Sequence, residues 1–329
     1  MSSIHIPVLK GDLIGQDLAP LALDFAREAG ANIQWTFIDH VLDEDGQLVK
    51  QCKEILSQHQ VALKGPFSTP KGVGQLGASV ALRKELQLFA GVRHIKNLPG
   101  LPSRYSDLDL VVIRENTEDV YAGLEHEVYP GVVESIKVVT QEASDRIFEF
   151  AFEFAQRQNR KKVSIIHKAN IMKQSDGLFL KVGQNWAKKY PEIETRGLIV
   201  DNTCMQMVQY PEQFDILVCG NLYGDILSDL GAGLVGGISA TWGVDRGHEL
   251  ALFEAIHGRV PELIGTDMAN PLPMIMPLIA LLKEVGQNQA ADRMYSAITY
   301  VLKAGQFLTQ DLGGTAKTSE MMKALNQAL

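Results

Sequence analysis

The segment Asn221-Leu-Tyr-Gly-Asp225-Ile-Leu-Ser-Asp229 follows the apolar run Ile216-Leu-Val-Cys219 and sets two carboxylates four residues apart. On a helix this spacing stacks Asp225 and Asp229 on one face, where two hard oxygen donors suit Mg2+ or Mn2+. The competing reading makes Asp225 a helix cap and leaves Asp229 exposed one turn later. Arg83, Arg93 and Arg114 carry planar guanidinium forks that grip carboxylates through two oxygens, so their convergence would make a clamp for a small polycarboxylate. Tyr121 and Lys168 are candidates for proton transfer: a lysine among other cations or away from water drops toward neutral pH, and a tyrosine beside it can donate. Asn170 in Lys168-Ala-Asn170 adds an amide for substrate or cofactor.

No Rossmann fingerprint opens the chain. Gly11-Asp-Leu-Ile-Gly15 follows the first strand-like run, but no G-x-G-x-x-G begins the next helix, so a dinucleotide would be held differently. Phe253-Glu254-Ala-Ile-His257-Gly258-Arg-Val-Pro261-Glu262 offers a loop of histidine, main chain and acid that could cradle adenosine. An acid at Glu262 would accept hydrogen bonds from the ribose hydroxyls and repel a 2′-phosphate, which favours NAD over NADP. A plain surface loop is the competing reading.

Four of these polar groups end apolar runs. Arg114 follows Leu110-Val-Val-Ile113, Lys168 follows Val163-Ser-Ile-Ile-His167, Asp201 follows Leu198-Ile-Val200, and Asn221 follows Ile216-Leu-Val-Cys-Gly220. In open α/β sheets ligands bind beyond the carboxyl ends of strands, so four such ends beside the aspartate pair point to one shared site. The periodicity predicts strands at 4–9, 33–38, 61–64, 109–114, 163–167, 197–201, 215–219 and 251–254. Helices are predicted at 17–29, 49–58, 79–89, 143–157, 175–188, 203–208, 225–235, 273–285, 288–304 and 318–328. Residues 121–139, broken by Pro130-Gly131, read as a hairpin-like arm that contacts a second subunit or covers a sheet edge.

The 329 residues carry a net charge of −8 and no long basic run, which argues against nucleic acid or an anionic membrane surface as the main partner. No stretch of about 20 apolar residues is free of charges and turns, so no membrane span is expected. Cys52, Cys204 and Cys219 form no CxxC or paired framework, and the N-terminus has no signal-peptide pattern. A reduced, cytoplasmic setting is the expectation.

Together the motifs resemble the β-decarboxylating dehydrogenase family, which contains isocitrate, 3-isopropylmalate, homoisocitrate and tartrate dehydrogenases. The resemblance covers nearly the whole chain. It rests on Ile113-Arg-Glu-Asn-Thr-Glu118, His167-Lys-Ala-Asn-Ile-Met172, Asn221 to Asp229, Phe253-Glu-Ala-Ile-His-Gly258, Asp267-Met-Ala-Asn-Pro271 and Asp311-Leu-Gly-Gly314. Glu115-Asn-Thr-Glu-Asp-Val-Tyr-Ala-Gly-Leu-Glu-His126 is most similar to the NAD-dependent isocitrate branch.

The resemblance implies an isocitrate/isopropylmalate dehydrogenase-like α/β fold, not a Rossmann fold. Residues 1–95 and 250–329 would form the large, cofactor-side domain, and 96–249 a small α/β domain whose clasp-like arm, about 121–139, joins subunits. It implies Ser79, Arg83, Arg93 and Arg114 on the substrate, Tyr121 as catalytic acid, and Asp225 and Asp229 on Mg2+ or Mn2+. Lys168 and Asp201 match groups given to each site by a second subunit, Asp201 as third metal ligand. Thr69, Asn170, Glu254, His257, Gly258, Glu262, Asn270 and Asp311 would serve NAD. The implied reaction moves a hydride from the 2-hydroxy carbon to the nicotinamide, then releases the β-carboxylate as CO2 and leaves an enolate that Tyr121 protonates. Gly77-Ala-Ser79 stands where isocitrate enzymes carry Ser-x-Asn, and Thr241-Trp-Gly-Val-Asp-Arg-Gly247 also departs from the family pattern. Isocitrate is the leading substrate, with homoisocitrate and 3-isopropylmalate as rivals and a non-catalytic regulatory subunit as a further reading. A homodimer or higher assembly is expected.

Overall fold

Short runs rich in Val and Ile become strands and the amphipathic stretches between them become helices, in a computed structural model that describes residues 4–12, 14–39, 41–43, 47–67, 77–256 and 260–329. In chain order the elements are β1 (Ile4–Leu9), α1 (Ile14–Glu28), β2 (Ile33–Phe37), α2 (Lys50–Ser57), β3 (Val61–Lys64), α3 (Ala78–Glu85), β4 (Ala90–Lys96) and β5 (Asp109–Glu115). They continue with β6 (Glu125–Tyr129), β7 (Val132–Ser135), α4 (Gln141–Arg157), β8 (Lys162–His167), α5 (Ser175–Ala187), β9 (Glu194–Ile199), α6 (Val200–Gln209), β10 (Ile216–Cys219) and α7 (Asn221–Leu234). The remainder is β11 (Thr241–Arg246), β12 (Ala251–Glu254), α8 (Leu272–Glu284), α9 (Asn288–Ala304) and α10 (Thr318–Gln327).

Ten strands form one sheet in the order β2-β1-β3-β12-β11-β4-β5-β10-β8-β9. The two ends of the sheet are parallel blocks, β2-β1-β3-β12 and β5-β10-β8-β9. Between them β11 and β4 run antiparallel to each other and to their outer neighbours. The two blocks therefore point in opposite directions. All four polar strand ends of the sequence reading lie on one block, at or just past the carboxyl ends of β5, β10, β8 and β9.

β4 and β11 are absent from the sequence reading. Their polar residues, Arg93 and His94 in the middle of one and Asp245 and Arg246 at the end of the other, break the apolar alternation that marks a half-buried strand. β9 ends at Ile199, so Asp201 lies in the first turn of α6 rather than at a strand end. The expected domain boundary at 95/96 falls inside β4, and that at 249/250 falls between the paired strands β11 and β12.

Helices cover both faces. Phe148 and Phe152 of α4 and Phe179 of α5 pack on Val111, Ile113, Val163, Ile165 and Val218 of the β5 block. α8, buried along most of its length, packs with α1, α9 and α10 on the β1 side. The faces left between these groups hold the polar residues described below.

β6 and β7 form the expected arm, an antiparallel hairpin turned at Pro130-Gly131. Gly131 has φ +80° there, which favours glycine. Every residue of both strands is exposed, Tyr129 at 71% and Val133 at 65%. Among the described residues no helix is long and apolar enough to cross a membrane.

Candidate active site

Strand register brings the arginines together. In the β4–β5 ladder Arg93 faces Val112 and Gly91 faces Arg114, so both arginines project from one face of the sheet. Across β4, Gly243 and Asp245 of β11 face Arg93 and Gly91; Gly243 also faces Glu254, which faces Lys64. One row across four strands thus reads Arg93, Gly243, Glu254, Lys64. A Cβ at Gly243 would overlap the Arg93 guanidinium, and the missing side chain is what lets Arg93 reach over β11 to Glu254.

Arg83 reaches the same spot from α3. Its Nε donates to Asp245 Oδ2 at 2.7 Å and its Nη2 to Glu254 Oε1 at 3.1 Å. Arg93 Nη1 lies 3.4 Å from Asp245 Oδ1, Arg93 Nη2 donates to Glu254, and Lys64 Nζ donates to Glu254 Oε2 at 2.9 Å. Asn116 Nδ2 adds a bond to Asp245 Oδ1 at 3.0 Å. Lys64, Arg93, Asp245 and Glu254 are each at most 5% exposed. Burial works against the Glu254 charge, but Lys64, Arg93 and Arg83 outweigh it and hold its carboxyl well below the usual range. Burial likewise opposes the Arg83 charge, and Asp245 and Glu254 overcome it, raising the guanidinium above its ordinary value.

The sequence reading sets Glu254 at the adenosine; in this structure buried cations engage both its oxygens, which makes it a counter-ion to Lys64, Arg83 and Arg93. Ser79 stands one turn before Arg83 on α3, half-buried on the same helix face.

Beside the clamp, α7 starts at Asn221 with Gly220 as its N-cap, so Asp225 lies beyond the first turn and does not cap the helix. Arg114 Nε donates to Asn221 Oδ1 at 2.8 Å and its Nη1 to Asp225 Oδ1, while Tyr121 Oη donates to Asp225 Oδ2 at 2.5 Å. The Arg114 guanidinium stacks on the Tyr121 ring at 5.0 Å. Burial first, then the bond to Asp225, pushes the Tyr121 phenol up, so it stays protonated. Asp229 follows one turn after Asp225, and burial and then the Asp225 charge raise its carboxyl. Two acids one turn apart on α7, Asp225 partly open to solvent and Asp229 exposed, fit a hard divalent cation. Among the described residues no three His, Cys, Asp or Glu groups of one chain are placed to hold a metal.

Lys168, just past the end of β8, and Asp201, in the first turn of α6, meet, and the ammonium bonds the carboxylate and pulls it below its ordinary range. Asp176, 3% exposed, holds this turn by accepting from the Lys168 backbone N–H at 2.6 Å and from Lys137 at 2.8 Å. Asn170 is exposed in the same turn.

Asn270 and Asp311 come together elsewhere: Asn270 Nδ2 donates to Asp311 Oδ2 at 2.7 Å and lies 2.8 Å from Ser239 Oγ. They border a groove of about 590 Å3 lined by Ile14, Leu18, Ile238, Leu263 and Pro273, an apolar slot with a polar rim that suits a purine ring and its ribose. Glu262 is exposed in the short 3-10 turn Pro261–Leu263 beside it. Thr69, His257 and Gly258 lie outside the described residues.

Sequence reasoning missed Lys64, Asn116, Asp176 and Asp245. A lone acid in Thr241-Trp-Gly-Val-Asp245 gives no signal until its antiparallel neighbours are known. The glycines at 91 and 243, opposite Asp245 and Arg93, are the nearest thing to one.

The sequence profile of the isocitrate/isopropylmalate dehydrogenase family matches residues 5–325. The chain is 43% identical over 319 residues to a probable isocitrate dehydrogenase [NAD] subunit alpha, mitochondrial, of Drosophila melanogaster, covering 96% of this chain and 85% of that one. It is 44% identical over 327 residues to isocitrate dehydrogenase [NAD] catalytic subunit 5, mitochondrial, of Arabidopsis thaliana, covering 98% and 87%. The crystal structure of isocitrate dehydrogenase from Methylococcus capsulatus superposes with a TM-score of 0.92 at 39% identity over 99% of both chains. The mitochondrial names of these relatives overturn the expectation of a cytoplasmic protein, since free thiols suit a mitochondrial enzyme equally. Profile, relatives and the clustering of the clamp arginines with Tyr121 and Asp225 agree: this chain belongs to the isocitrate/isopropylmalate dehydrogenase family.

Proposed function

We propose that this protein catalyses the NAD-linked oxidative decarboxylation of isocitrate to 2-oxoglutarate, with Mg2+ or Mn2+, in an oligomer whose active sites are shared between copies. The observation that carries this reading is the joint hold of Arg114 and Tyr121 on Asp225, beside Arg83 and Arg93 on the same face. Arg83, Arg93 and Arg114 bind the substrate carboxylates, with Ser79 at the substituent on its third carbon. Tyr121, kept protonated by burial and Asp225, delivers its hydroxyl proton to the carbon that loses CO2. The Lys168–Asp201 pair takes the substrate hydroxyl proton as the hydride leaves, Lys168 accepting it as the neutral amine after its own proton has passed to solvent.

NAD supplies the hydride acceptor, held along the groove of Asn270 and Asp311 with Glu262 at the ribose. A divalent cation held by Asp225 and Asp229, with Asp201 from a second copy, supplies the Lewis acidity that decarboxylation requires. The apolar side chains of the arm, Leu124, Val128, Tyr129 and Val133, are at least 49% exposed, and Met205 and Ile226 of α6 and α7 are at least 50% exposed. A second copy covering both surfaces would remove them from water and bring its own Lys168 and Asp201 to the site. In this reading residues 1–95 and 250–329 carry the cofactor side and residues 96–249 the subunit-joining side.

Initial rates of NADH formation with isocitrate, homoisocitrate and 3-isopropylmalate, with either cation, test the proposal. Equal or better turnover of the acid with an apolar substituent refutes the substrate. Inactivity with all three acids, restored by a partner subunit, would replace it with a regulatory role.

A further inference from the structure

We propose that Asp245 sets the charge selectivity of the arginine clamp, so that the number of carboxylates the site prefers is decided by a residue that makes no contact with substrate. The inference deepens the function proposed above and rests on it. Two carboxylates sit among the clamp cations, but they are not equivalent. Glu254 is shared: Lys64, buried and 2.9 Å away, holds one oxygen, while Arg83 and Arg93 both donate to the other. Asp245 has no lysine. Its partners are Arg83 at 2.7 Å, Arg93 at 3.4 Å and the neutral amide of Asn116 at 3.0 Å. Asp245 therefore offsets the arginines themselves. Lys64, Arg83 and Arg93 set against Asp245 and Glu254 leave a single positive charge, and Asp245 is the part of that balance with no lysine beside it.

At 1% exposure Asp245 is shielded from water, so its charge acts at an effective dielectric well below that of solvent. A substrate carboxylate gripped by Arg83 or Arg93 lies across a guanidinium from Asp245, and every further negative charge on the substrate is repelled as well. The penalty grows with substrate charge, from a 3-alkylmalate with two carboxylates to isocitrate with three. Asparagine at this position keeps the shape and one acceptor oxygen but removes the penalty.

The test is Asp245→Asn in the full chain, read by calorimetric binding of two unreactive acids, tricarballylate with three carboxylates and glutarate with two. The expected result is a rise of roughly fifty-fold in tricarballylate affinity relative to glutarate, for one unit charge removed at roughly 7 Å in an effective dielectric of about 20. The ratio of kcat/KM for isocitrate over 3-isopropylmalate should rise with it. Asp245→Ser removes the same charge in a smaller side chain and should move both ratios the same way, which decides the matter if Asp245→Asn does not fold. Equal changes for both acids, or none, overturn the proposal. If the native protein oxidises isocitrate and the ratios stay fixed, only the role of Asp245 falls. If it binds neither acid and oxidises none, the clamp reading falls and takes this inference with it.

Discussion

Gly224→Ala tests the clamp from a position that carries no functional group. Gly224 is the fourth residue of α7, and a Cβ there would stand 2.5 Å from Cγ, 2.6 Å from Cβ and 3.0 Å from Cδ of Arg114. The collision is with the root of the arginine, including its Cβ, so side-chain rotation cannot relieve it and α7 must shift away from β5. Asn221 and Asp225 are then carried away from the guanidinium. Alanine favours the helix by about 1 kcal/mol over glycine, and overpacking costs about 1–3 kcal/mol, so the protein should lose at most about 2 kcal/mol and stay folded. A hydrogen bond to a charged group is worth about 1.5–3 kcal/mol, and losing one from Arg114 to a substrate carboxylate should raise KM roughly 10- to 150-fold. The assay is NADH formation against isocitrate concentration, alongside a thermal melt. A KM within about a factor of two of the native value, in a variant that melts normally, would refute both the tight packing and the place of Arg114 on the substrate.

Tyr121→Phe and Lys168→Met should each cut kcat by about two to four orders of magnitude, the range for loss of a general acid or base; near-native turnover would remove the residue from the mechanism. His94, stacked on Trp242 with ring centroids 4.9 Å apart, has its pKa lowered to about 4 by burial and then Arg160, against 6.5 for a free imidazole. Below pH 6.5 the unfolded chain takes up a proton that the folded state refuses until about pH 4, so stability holds above this window and falls as pH drops through it, by about 3 kcal/mol at most. Denaturant midpoints between pH 7 and 4 should flatten in His94→Asn, and a parallel fall in variant and native protein would refute that cause. On the arm, Tyr129→Asp with Val133→Asp should shift the protein to a monomer in sedimentation and abolish activity, while unchanged mass would deny the hairpin its role in assembly.

The sequence by itself determined the outer strands, the helices and the hairpin, because each obeys a single local period and ends at a glycine, proline or polar residue. β1 and β3 match their predicted spans, and α9 matches its own. It also marked Arg114, Lys168, Asn221 and the aspartates of α7, since a polar residue ending an apolar run is visible without any partner. The tertiary structure decided the middle. β4 and β11 carry charges where a strand should be apolar, and these charges are buried only because each lies against its opposite across a ladder: Arg93 against Asp245 and Glu254, with glycines at 91 and 243 making room. Local periodicity cannot register such pairing, because the partners are 152 and 161 residues apart in the chain. For the same reason Glu254 reads as part of a cofactor loop in the sequence and stands in the clamp in the fold. A carboxylate's role here is fixed by which cations the sheet sets beside it.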